Sequence, residues 1–112
     1  MAKLDLRTGS TTVMVLGLLA ERPMYGYQIV KELQNRSEGY FSLEQGTLYP
    51  ALLKLEQEGA VVGEWGVSEN NRRARFYRLT AAGRRQLARE TRQWEQATSI
   101  LARFLAVKED PA

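Results

Sequence analysis

The chain has 112 residues, which is the length of one domain with one modest core. It contains no cysteine and no histidine, so thiolate nucleophiles, structural zinc, imidazole bases and the Ser-His-Asp constellation are excluded, no cofactor is expected, and an enzyme is a poor reading. The net charge of +3 conceals an uneven layout: six basic against nine acidic side chains over residues 1–71, eight arginines against Glu90 alone over 72–92, and two basic against three acidic over 93–112.

After a polar start, GSTTVMVLGLLAE offers Gly9, Ser10 or Thr11 as the N-cap of a first helix that stops before Arg22-Pro23. Its apolar run, Val13 to Ala20, is far below the roughly 18 residues that span a bilayer. Met1 to Leu6 lacks the basic-then-apolar layout of a signal peptide, so a cytoplasmic protein with no membrane partner is expected. In PMYGYQIVKELQNRS, Pro23 is a start signal for a second helix whose Ile29, Val30 and Leu33 lie together and which ends near Ser37. EGYFSLEQ, with Gly39 and no clear period, reads as a connection.

The stretch GTLYPALLKLEQEG carries a proline inside an amphipathic pattern. Leu48, Ala51, Leu52 and Leu55 fall within one arc of a helical wheel, and Gly59 supplies a stop. If this third helix begins near Glu44 or Gln45, Pro50 lies in or just past the first turn, where amide hydrogens lack intrahelical partners. Gln45, Thr47, Tyr49 and Lys54 then lie off the buried arc, in the part of a recognition helix that meets base edges. The alternative is that Tyr49 packs its ring on the rim of the core and Pro50 only sets where the helix begins.

Beyond Gly59 the period changes to that of strands. AVVGEW and RARFYRL are β-branched or aromatic runs separated by the turn chemistry of GVSENN, and together they predict a hairpin. Tyr77 and Leu79 share one face of its second strand and Phe76 and Arg78 the other, with arginines at the tip and outside. Three helices followed by a basic hairpin make a winged helix-turn-helix, so the fold class is mainly α with a small β-hairpin. The eight arginines of the 72–92 block fit a polyanion, because the guanidinium fork matches phosphate. On charge alone a solvated helix face fits equally well.

Thr80 is a good N-cap for a long last helix, in which Gly83 weakens the start by up to ~1 kcal/mol relative to alanine. Leu87, Trp94 and Leu101 recur at steps of seven, with Ala97, Phe104 and Leu105 between them, the spacing of a seam. Burial against a second copy is the economical solution; folding back on the first helix is the other. The predicted organisation is a DNA-binding domain over 1–79, a dimerisation helix over 80–108 continuous with it, and a tail over 109–112.

Three stretches carry a family resemblance: LGLLAERPMYGYQIVKEL, GTLYPALLKLEQEGAV and RRARFYRLTAAGRRQL, which together cover most of residues 13–87. On them the chain resembles the PadR family of transcriptional regulators, as a small member with a short C-terminal part. The resemblance implies a homodimeric repressor whose winged helix-turn-helix domains bind a pseudo-palindromic operator in double-stranded DNA, often near its own gene. It places Gln45, Gly46, Thr47, Tyr49 and Pro50 at the start of the recognition helix and Lys54 where the family often has a basic residue. Leu53 departs from the family, which commonly carries a polar or basic residue there. Some small members bind flat aromatic or cationic compounds between the C-terminal helices, a tryptophan stacking on the ligand. Trp94 lies on the corresponding stretch, with Phe104 or Leu101 as walls, unless it only packs the seam.

The expected function is therefore sequence-specific DNA binding, with Gln45, Thr47 and Tyr49 at base edges or phosphates and Arg72, Arg73 and Arg75 reaching phosphates or a minor groove from the wing. A protein-interaction module whose arginines meet an acidic partner is the alternative from another class. RNA binding has weaker support, for want of an aromatic stacking platform.

Overall fold

The computed structural model describes residues 8–41 and 45–107. Four helices and a small sheet follow one another as α1 (Thr8–Glu21), β1 (Met24–Tyr25), α2 (Gly26–Arg36), α3 (Gln45–Gln57), β2 (Val61–Val67), β3 (Arg73–Leu79) and α4 (Ala81–Val107). This is the mostly helical winged helix-turn-helix expected from the pattern, and its hairpin is extended by a third strand. The sheet is antiparallel in the order β1-β3-β2, with Met24 opposite Tyr77 and Val61 opposite Leu79.

Two starts differ from expectation. Gly9, Ser10 and Thr11 lie inside α1 rather than ahead of it, because a run of small hydroxylated residues offers several near-equivalent starts. Pro23 does not open α2: Met24 and Tyr25 pair with β3 first, and the helix begins at Gly26. That long-range pairing overrides the local signal. Tyr25 takes the cap position, and its backbone N–H donates to Gln28 Oε1 at 3.2 Å.

The core lies where α1, α2 and α3 meet the base of the sheet. Leu16, Ile29, Leu48 and Leu52 are fully buried there, closed over by Met24, Val61, Tyr77 and Leu79. Periodicity of 3.6 in the helices and 2 in the strands brings these residues to one side of each element. At the rim, Arg36 ties α2 to α1 by a two-pronged pair with Glu21, one prong at 2.6 Å, and a further bond to Glu32 at 3.0 Å. The Arg36 hydrogen bond holds the Glu21 carboxyl below its ordinary value, so this pair supports the fold at neutral pH and is lost as acid protonates Glu21.

Thr80 caps α4 as its sequence promises. Its Oγ1 accepts the Gly83 N–H at 3.0 Å and lies 2.6 Å from the Gly59 carbonyl oxygen, to which the hydroxyl donates. Its own N–H donates to the Ala60 carbonyl at 3.0 Å. Thr80→Ala is expected to lower stability by about 1 to 2 kcal/mol, measured by urea unfolding.

The first turns of α4 pack on α1 and β3, and Leu87 sits against the core. The helix then runs on past the domain, giving the molecule a long axis of 61 Å against 30 and 22 Å. Ile100, Leu101, Phe104 and Leu105 stand exposed along that extension, Phe104 by 70%. Folding back on α1 thus describes the start of the helix, and an unpartnered apolar face describes its end. Lys108 and the 109–112 tail lie outside the described residues.

Candidate nucleic-acid interface

Helix α3 divides sharply between its two sides. Leu48, Leu52 and Leu55 are at most 2% exposed, whereas Gly46, Thr47, Tyr49, Pro50, Leu53 and Lys54 all face out. Gln45 opens the helix, but its side chain lies outside the described residues. Pro50 is the sixth helical residue, beyond the first turn whose amide hydrogens lack intrahelical partners, so the Gly46 carbonyl loses its i+4 donor. Gly46 is itself exposed, and that carbonyl can be served by solvent or a ligand.

Tyr49 is open on one side and anchored on the other. It is 47% exposed, and its hydroxyl occupies the place where a Cβ on Gly26 would stand, 2.8 Å from that ideal position. The ring therefore packs on the rim of the core, as the packing reading of Tyr49 expects, and presents a face to solvent at once.

The hairpin β2-β3 stands beside this helix. Along the face that begins with Val61 and Leu79, register pairs Gly63 with Tyr77, Trp65 with Arg75 and Val67 with Arg73. This face is core at its base and open toward the tip, where Trp65 is 58% and Val67 65% exposed. The Arg73 guanidinium lies 4.3 Å from the Trp65 ring centroid, a cation–π contact that holds the arginine across the indole. The turn is tightly closed: the Ser68 N–H donates to the Arg72 carbonyl at 2.8 Å, and Asn71 takes the left-handed conformation (φ 58°) that its residue type tolerates.

The arginine block, one cluster in sequence, is dispersed in space. Arg72 and Arg73 are exposed at the tip with no acidic partner among the described residues. Arg78 points to the opposite face and pairs with Glu64 at 2.9 Å. Arg84, Arg85, Arg89 and Arg92 belong to the exposed surface of α4. Arg75 differs from its neighbours at the tip: it donates from Nη2 to Glu56 of α3 at 2.6 Å. That hydrogen bond raises the Arg75 pKa further, and burial pushes the neighbouring Tyr77 hydroxyl upward. The block thus divides into arginines exposed at the wing tip, arginines held by acidic partners, and arginines on the solvated surface of α4.

Between wing and helices lies a groove of about 570 Å³, lined by Tyr25, Tyr27 and Tyr49 on one side and Trp65, Arg72 and Arg73 on the other. No lining residue is acidic. Tyr25 and Trp65 escaped the sequence reading as lining groups. Trp65 could have been found, since it continues the alternation of Val61 and Gly63 beyond the point where the core ends. Tyr25 could not, because its place depends on the pairing with Phe76 fifty-one residues away. Its hydroxyl donates to Glu69 at 2.9 Å, and its pKa is raised, by burial first and by that bond second.

The seam residues separate into three groups. Leu87 packs on the core of its own chain, which removes it from a free face, because α4 needs its first turns to close the domain. Trp94 and Ala97 are partly buried, and the Trp94 indole N–H is sealed from solvent with no hydrogen-bond partner among the described residues. Leu101, Phe104 and Leu105 remain open.

Residues 15–89 match the family described as Transcriptional regulator PadR-like family. The chain is 30% identical over 92 residues to a transcriptional regulator from Mycobacterium tuberculosis, covering 82% of each chain. Among solved structures it is similar to a PadR family transcriptional regulator from Eggerthella lenta, with 32% identity, a TM-score of 0.76 and coverage of 91% of this chain and 87% of that one. A transcriptional regulator from Clostridium thermocellum superposes with a TM-score of 0.80 at 28% identity, over 89% of this chain and 97% of the other.

Proposed function

Because the chain belongs to the PadR-like family of transcriptional regulators, which are DNA-binding transcription factors rather than enzymes, we propose that it is a cytoplasmic homodimeric repressor of a pseudo-palindromic operator. The observation that carries the DNA-facing surface is the acid-free groove shared by Tyr49 of α3 and by Arg72 and Arg73 of the wing, which have no acidic partner among the described residues. In this reading residues 1–79 bind DNA and 80–108 form the dimer. Gln45, Gly46, Thr47, Tyr49 and Pro50 meet the major groove, with Lys54 beside them on the exposed side of α3, while Arg72 and Arg73 hold phosphates or enter a minor groove. Two half-sites about 34 to 36 Å apart, or a multiple of that, follow from two-fold symmetry.

The test is fluorescence anisotropy with the duplex upstream of the protein's own gene beside a scrambled duplex, across several salt concentrations. A preference that persists as salt rises supports the reading; equal, steeply salt-sensitive binding to both overturns it. Arg73→Ala is expected to weaken all duplexes alike and to reduce the salt slope by ~1, whereas Thr47→Ala acts unequally across operator variants.

The indole N–H of Trp94, without a partner among the described residues, favours a second element, a flat aromatic effector seated between the paired α4 helices with Leu101 or Phe104 as wall. Quenching of Trp94 emission in a Trp65→Phe background by planar aromatic compounds tests it. Unchanged emission across a diverse set leaves Trp94 a packing residue.

A further inference from the structure

Three features converge on Arg75. Its Nη2 donates to Glu56 on the last turn and a half of α3, at 2.6 Å and nineteen residues away in sequence. Its guanidinium lies across Gly63 of β2 so closely that a Cβ there would come within 2.3 Å of Nε. The same group is flanked by the rings of Trp65 at 5.9 Å and Tyr77 at 5.8 Å. Glycine at 63 is thus the space the arginine uses to cross the strand, and the rings and the carboxylate fix where it ends.

We infer that Arg75 and Glu56 form a clamp that sets the angle of the wing against the recognition helix, making Arg75 a positioning residue for operator discrimination rather than a phosphate contact. The inference rests on the reading of the chain as a sequence-specific DNA binder. Helix α3 and strand β2 are joined through a short link, Glu58 to Ala60, and the wing beyond Gly63 has lost the core that holds its base. A half-site read by two elements at once needs their separation held, and a fixed geometry keeps ordering costs out of binding.

The two roles predict opposite signs. Removing the Glu56 charge beside a polyanion strengthens binding if electrostatics alone act. If the pair is a clamp, Glu56→Gln weakens binding to the native duplex by about tenfold while affinity for the scrambled duplex and the salt slope stay as they were. Arg75→Gln is expected to match it, and the double variant to add nothing further, since both remove one interaction. Equal or tighter binding of Glu56→Gln to the native duplex overturns the clamp. So does a fall of ~1 in the salt slope of Arg75→Gln, which identifies a phosphate contact.

Hydrogen exchange of the free full-length protein reads the clamp without DNA. The amides of Trp65 to Val67 and Arg73 to Arg75 should exchange about tenfold faster in Glu56→Gln, with core amides of α1 unchanged. Unaltered wing exchange overturns the inference. A wild type that cannot tell the two duplexes apart refutes the regulator reading instead, and the exchange measurement then decides the clamp by itself.

Discussion

Gly83→Ala is expected to destabilise the protein by about 3 kcal/mol or more, read as a large fall in the urea midpoint, although helix propensity alone forecasts a gain of up to ~1 kcal/mol. A Cβ at this buried position would stand 2.0 Å from the Ala60 carbonyl oxygen and 3.0 Å from its carbon. Backbone lies on both sides of that contact, so neither partner can swing away as a side chain would. The same carbonyl accepts the Thr80 N–H, and any shift of α4 that relieves the clash strains the cap. Stability unchanged or raised in Gly83→Ala would show that the helix and strand slide apart at little cost.

The second large effect is expected at the free end of α4. Leu101, Phe104 and Leu105 share one face at helical spacing and are 55%, 70% and 62% exposed in the single chain. Replacing Leu101 and Phe104 together by glutamate should turn the proposed dimer into a monomer in sedimentation. Binding to the full palindrome should then weaken by about 100-fold or more, because the second half-site is no longer reached from the same complex. Affinity for one isolated half-site should stay close to wild type. Persistence of the dimer would assign the seam to another surface.

Local signals carried most of the fold. The periodicity of Leu48, Leu52 and Leu55 located the buried side of α3, Thr80 located the start of α4, and the alternation of Tyr77 and Leu79 gave the inward face of β3 correctly. What escaped detection was set by distant partners. Strand β1 exists only because Met24 and Tyr25 meet Tyr77 and Phe76. Gly83 looked like a weak helix residue, and only the approach of Ala60 shows why a side chain is excluded there.

The candidate interface was legible to the same degree. Thr47, Tyr49, Arg72 and Arg73 were identified by residue type and position, and all four stand on the outside. Residue type alone groups Arg75 with its neighbours, because the sequence holds no record of Glu56 standing 2.6 Å away across two elements. The seven-residue step that puts Leu87 in a seam is also satisfied by a helix facing its own core at one end and open at the other.

The contact between Tyr49 and Gly26 links two positions in the history of such a chain. With the phenol oxygen 2.8 Å from where a Cβ would be, alanine at 26 pushes the tyrosine outward and displaces a group at the candidate reading surface. Phenylalanine at 49 removes that oxygen and leaves 3.1 Å to the nearest ring carbon, a contact that small adjustments can relieve. Drift at residue 26 is thus gated by residue 49: α3 must change first, and the helix behind it can follow.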